Sequence, residues 1–215
     1  MLRRTLVLSL FLCLSVSALA QAQDASPLEA LQTRYDRLEG LRAAFTQVTT
    51  SEFADDSTRI EGRVLLADDQ YRVETPSQTV VTNGATTWIY SPADSQVVVN
   101  DAEANASTVT PQTFLTASAE KYNLSSSRTA RRDGAPHDVL SLTAASGPAR
   151  FKKAVLWVRQ SDRIVTRLQA TDRNGSVLDL RLQDIEVDPA FEGRPFTFSA
   201  PDGVEVVDLR ADASG

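Results

Sequence analysis

The chain is poor in the residues that most catalytic and metal sites need. It has one cysteine, Cys13, and one histidine, His137, in 215 residues. Cys13 lies in an apolar run at the N-terminus. Once that run is removed, no thiol remains for a disulfide, a thiolate nucleophile or a cysteine metal site. One histidine cannot build a zinc site, which takes several His or Cys ligands. A Ser–His–Asp hydrolase would have to run through His137, and no Gly-x-Ser-x-Gly elbow accompanies it. His137 sits just after Gly134-Ala135-Pro136 and reads as an exposed loop residue. No Gly-rich phosphate loop and no internal repeat is present. No later apolar run approaches the ~18 residues that span a bilayer. No catalytic residue, metal ligand or cofactor is expected.

Basic charge is also in deficit, with 22 Lys and Arg against 28 Asp and Glu. The first twenty residues combine Arg3-Arg4, the apolar stretch Leu6 to Leu14 and the small-x-small signal Ala18-Leu19-Ala20. This is the pattern of a Sec signal peptide over 1–20, leaving 21–215 as a single domain. Removing Arg3 and Arg4 takes the net charge from −6 to 20 − 28 = −8. That balance argues against nucleic acid, whose phosphates need clustered Lys and Arg, and against lying on an anionic membrane. About 190 residues bury a sufficient core without disulfides.

Periodicity then gives the elements. Ser26 is an N-cap signal and Pro27 suits the first helical position. Leu28, Leu31, Tyr35, Leu38, Leu41, Phe45 and Val48 follow at gaps of three or four, which predicts one long helix. After Thr50 the period becomes two, at Ile60, Gly62, Val64 and Leu66, and again at Tyr71 and Val73. Asn83-Gly84 predicts a tight type I′ hairpin, with Trp88 and Tyr90 on one face of the returning strand. Further strands are predicted at Val139–Leu142, Phe151–Arg159, Ile164–Thr171, Ser176–Gln183 and Phe196–Phe198. Thr110-Pro111 predicts a second helix over Gln112–Tyr122. The short spacings favour an antiparallel meander.

The remaining clusters have ordinary explanations. Asp184, Glu186 and Asp188 alternate as on a charged strand edge, although a calcium site would use the same groups. Asp172-Arg173-Asn174-Gly175 reads as a hairpin turn. The sequons at Asn105, Asn123 and Asn174 are short enough to arise by chance. Tyr35, Phe45, Tyr71, Trp88 and Tyr90 suit either an ordinary core or the lining of an apolar site.

Four segments together resemble the outer-membrane lipoprotein carrier family (LolA-like). They are Leu41-Arg-Ala-Ala-Phe45-Thr46-Gln47; Gly62-Arg-Val64-Leu-Leu66 with Tyr71-Arg72-Val73-Glu74; Val81-Thr-Asn83-Gly84-Ala-Thr-Thr-Trp88-Ile89-Tyr90-Ser-Pro92; and Phe196-Thr-Phe198-Ser-Ala-Pro201-Asp-Gly203-Val204. The resemblance implies a mainly β, α+β fold: an unclosed antiparallel β-barrel of about eleven strands with a helical lid around an apolar cavity. It implies a soluble, monomeric, non-enzymatic periplasmic chaperone. Such a carrier takes acylated lipoproteins from an inner-membrane lipoprotein-releasing transporter and delivers them to an outer-membrane acceptor. The family's lipid-facing helix positions fall on Tyr35, Leu38 and Leu41, and its aromatic strand position on Tyr71. Phe45, Val64, Leu66, Val73, Trp88, Tyr90 and Leu115 complete the expected lining. A lipid- or lipoprotein-sensing regulatory module on the same fold is the alternative. One feature departs from the family. Its best-known members carry an Arg-Pro pair between these strands, tied to lid closure and onward transfer, where this chain has Ala67-Asp68-Asp69-Gln70.

Overall fold

A computed structural model describes residues 26–53, 56–102, 121–145 and 149–210. The signal peptide, most of the second predicted helix and Leu115 lie outside these residues.

Helix α1 spans Pro27–Asp36. Ser26 Oγ accepts from the Glu29 amide at 3.2 Å, and the Glu29 carboxylate accepts from the Ser26 amide at 2.9 Å. This reciprocal cap satisfies two amides that the first turn leaves open. Leu28, Leu31 and Tyr35 form the buried stripe. The helix does not run on to Val48, because the chain extends at Leu41 and becomes strand β1 (Leu41–Thr50). The Glu39 and Gly40 amides donate to one carboxylate oxygen of Asp188, at 2.9 and 3.3 Å. A side chain from the far end of the sequence thus supplies the partner that another helical turn would have provided.

The remaining strands are β2 (Ser57–Ala67), β3 (Gln70–Glu74), β4 (Thr79–Thr82), β5 (Thr86–Ser91), β6 (Gln96–Asp101), β7 (Tyr122–Arg132), β8 (Ala135–Ala144), β9 (Phe151–Arg159), β10 (Val165–Asp172), β11 (Val177–Val187) and β12 (Glu205–Asp208). The described strands form one twelve-stranded sheet in the order β12-β6-β5-β4-β3-β2-β1-β11-β10-β9-β8-β7. Two antiparallel meanders, β2 to β6 and β7 to β11, flank β1, which pairs with both β2 and β11. The sheet ends in β12 on one side and β7 on the other, so it is unclosed. β12 is the exception to the antiparallel rule and runs parallel to β6.

Three local expectations change. Phe196–Phe198 is not a strand; it belongs to an irregular strap between β11 and β12. The β4–β5 connection is wider than a two-residue turn, with Gly84 at φ 90° and Asn83 not at positive φ. The Asn83 carboxamide oxygen organises it by accepting from the Ala85 and Thr86 amides at 3.0 and 2.8 Å. Tyr122 opens strand β7 and does not close a helix.

Candidate functional site

Directly opposed residues in a sheet point to the same side, so the register sorts every strand residue onto one of two faces. On the inner face a row crosses one wing as Ala43, Val64, Val73, Val80, Ile89, Val98 and Val207. On the other wing Leu180, Leu168, Leu156 and Leu140 form a matching row. The α1 residues Leu28, Leu31 and Tyr35, together with Leu38, belong to the same buried cluster as these walls. The two rows contain no ionisable group. Charges alternate onto the outer face, where Arg167 and Arg181 both pair with Asp179 at 2.7 and 3.0 Å. Burial pushes the Asp179 carboxyl up, but the hydrogen bonds from Arg167 and Arg181 outweigh it and hold the group down at about 2.

Most expected lining residues fall on the inner face. Leu41 opposes Leu66, which opposes Tyr71. Phe45 opposes Gly62 and lays its ring in the space that glycine leaves, where a Cβ would meet ring carbons at 2.8 and 2.9 Å. Val64 and Val73 are paired in the apolar row. Tyr35 anchors the helix to the other wing: its phenol oxygen accepts from the Val165 amide at 3.1 Å. Burial pushes this phenol well above the usual tyrosine range.

Trp88 and Tyr90 are the correction. Trp88 opposes Val81 and Val99, while Tyr90 opposes Thr79 and Val97. These residues all occupy the outer face, across the sheet from Tyr71. The strap packs on Tyr90 there. Phe198 stands 5.7 Å from Tyr90, ring centre to ring centre, and Arg72 donates to the Pro195 carbonyl oxygen at 3.3 Å. The sheet is therefore covered on both faces in this wing, and alternation alone cannot say which cover a given aromatic meets. Val80, Ile89 and the leucines of the second wing were not singled out from the sequence. The alternation Leu178-x-Leu180-x-Leu182 was the available signal.

The other singled-out residues are structural here. His137 is not in a loop but in β8 and only 2% exposed, because the turn closes at Asp133-Gly134 and the strand resumes at Ala135. Its Nδ1 donates to the Ala135 carbonyl oxygen at 3.0 Å, and its Nε2 lies 3.0 Å from Thr166 Oγ1. The ring stacks edge-on against Trp157. Glu186 pairs with Arg42 at 2.9 Å and Asp188 accepts from the Glu39 and Gly40 amides between α1 and β1, so the acidic trio does not converge. No group of three metal-ligating side chains occurs among the described residues. The segment that replaces the Arg-Pro pair is the β2–β3 turn, and Gln70 ties it to the Asn83 carbonyl oxygen at 3.2 Å.

This geometry offers an apolar interior between two sheet wings and a helix. Residues 36–199 match the family model described as outer membrane lipoprotein carrier protein LolA. An outer-membrane lipoprotein carrier protein of Aliivibrio salmonicida is 28% identical over 201 residues, spanning 92% of this chain and 98% of that protein. Among solved structures, an uncharacterized conserved protein from Thermus thermophilus aligns with a TM-score of 0.58 at 15% identity, covering 84% of this chain and 98% of that one. MucB aligns with a TM-score of 0.52 at 16% identity, covering 87% of this chain and 66% of that one. These two structural likenesses speak to the fold. The family model takes in most of the chain, and so the chain belongs to the outer membrane lipoprotein carrier family, LolA.

Proposed function

We propose that this protein is a periplasmic carrier that holds the acyl chains of lipoproteins against the inner face of its sheet and shuttles them from the inner to the outer membrane. The observation that carries the reading is the uninterrupted apolar row from Ala43 to Val207 on one face of an unclosed sheet. Each CH₂ kept from water is worth about 0.8 kcal/mol, so two or three acyl chains crossing the periplasm unaided would face tens of kcal/mol. A carrier removes most of that penalty without catalysing a reaction.

In this reading residues 1–20 export the chain and 21–215 act as one monomeric domain. Its partners are acylated lipoproteins, a releasing transporter in the inner membrane and an acceptor in the outer membrane. Tyr35, Leu38, Leu41, Phe45, Val64, Leu66, Tyr71 and Val73 contact cargo. Since α1 and the wings are buried against each other, acyl chains enter by replacing contacts that the helix now makes. Cargo binding then shifts a closed state toward an open one, to the extent that it binds the open state better.

The test is to purify the protein from the periplasm after co-expression with a lipoprotein and to extract it for mass spectrometry. Acylated peptide should be recovered from the wild type, and its recovery should drop at least tenfold with Tyr71→Glu, which buries a charge among acyl chains. An empty wild-type protein, or full loading of the variant, overturns the reading or the placement of cargo respectively.

A further inference from the structure

One inner-face row changes character as it crosses the sheet. It begins Leu41, Leu66, Tyr71 and continues Thr82, Thr87, Asn100. Its neighbour, from Ala43 to Val207, stays apolar throughout. The polar end is not explained by the turn beside it. Thr82 serves that turn, donating to the Thr86 carbonyl oxygen at 3.1 Å and accepting from the Gly84 amide at 3.2 Å. Thr87 does not. It is 0% exposed, and its Oγ1 is buried with no hydrogen-bond partner. Asn100, directly opposite on β6, makes no hydrogen bond to it.

A buried hydroxyl without a partner costs about 1–3 kcal/mol relative to one that is satisfied. Valine has nearly the same shape and would avoid that cost in a β-strand. Threonine at this position is therefore a liability in the empty protein that a bound polar group would remove. The hydroxyl has its proton to donate, and the Asn100 side chain has both a donor and an acceptor. Acyl chains alone cannot use either. The carbonyl groups that join them to a glyceryl-cysteine can.

We propose that Thr87 and Asn100 form a polar subsite for the ester carbonyls of acylated cargo, fixing how deeply the chains lie along the apolar row. This deepens the carrier reading and rests on it. The subsite sets the register of the cargo: chains run along the apolar row, and the glyceryl end stops at the row containing Thr87.

The experiment compares a synthetic diacylated lipopeptide with its dialkyl-ether analogue, which has the same chains but lacks the ester carbonyls. Binding to the full mature protein is measured by isothermal titration calorimetry. The wild type should favour the ester by about fivefold, the worth of one neutral hydrogen bond. Thr87→Val should lose that preference while unfolding at a higher temperature, and Thr87→Ser should keep it. An unchanged preference in a stabilised Thr87→Val protein overturns the proposal, because the hydroxyl then serves only a buried water. Equal ester and ether affinities in the wild type overturn it as well. If the wild type binds neither lipopeptide, the carrier reading itself fails, and the subsite with it.

Discussion

Tyr35 makes the most consequential single hydrogen bond in the cover of the sheet. Its oxygen takes the Val165 amide at 3.1 Å, at the edge of the β9–β10 turn whose Asp162 carbonyl oxygen also accepts from Arg34 at 3.2 Å. Tyr35→Phe leaves that amide buried and unpaired, which should lower stability by about 1–3 kcal/mol in a urea titration. The pH dependence follows from the same burial. The folded protein holds the phenol neutral above the usual range, while the unfolded chain releases its proton near pH 10. Stability from this group is therefore fully present below pH 10 and falls as pH rises beyond it. Tyr35→Phe should flatten that part of the alkaline limb, above about pH 10.

At the scale of elements, a spacing of four residues fits two structures. Leu41 and Phe45 share a face as one turn of a helix or as two pleats of a strand. Their place after a run of helical spacings favoured the helix, and the decisive partner, Asp188, lies about 150 residues away in the sequence. Val48 marks the difference: it opposes Asp179 on the outer face, whereas Phe45 opposes Leu182 on the inner one. The hairpins were more legible, because Asp133-Gly134 and Asn174-Gly175 fix their turns by local chemistry. Facing was least legible where both sides of the sheet are covered, as at Trp88 and Tyr90. The closeness of β1 and β2 gives a sharp check on the inner face. A side chain at Gly62 would collide with the Phe45 ring and with the Glu74 carbonyl oxygen. Gly62→Ala should therefore cost about 1–3 kcal/mol by overpacking, seen as a lower denaturation midpoint.

At the scale of the whole molecule, net charge describes the protein poorly. Residues 121–173 hold eleven of the 22 Lys and Arg but only four of the 28 Asp and Glu. The overall acidity that argues against anionic partners is thus an average over two unlike parts. The antiparallel meander was readable because alternation, turn signals and short connections agreed with one another, while its unclosed form followed only from the family resemblance. The bond between the two wings was not readable, because no local pattern pairs β1 with β11.

That bond also sets an order in time. Phe45 and its partner Leu182 are separated by 137 residues. At synthesis rates of about 5–20 residues per second, the second emerges roughly 7–27 s after the first. During that interval β1 can pair with β2 while its other edge stays open, and that edge carries Leu41, Ala43 and Phe45 on one side. Such a waiting edge is a template for pairing with another chain. Alternate amides of β1 point toward β2 and toward β11, so pulse-labelled hydrogen exchange during refolding should show two protection phases within this one strand, the β2-directed amides first. Simultaneous protection would mean that both wings close together. The late join between the two wings thus makes the newly made protein a client for chaperones before it can serve as one.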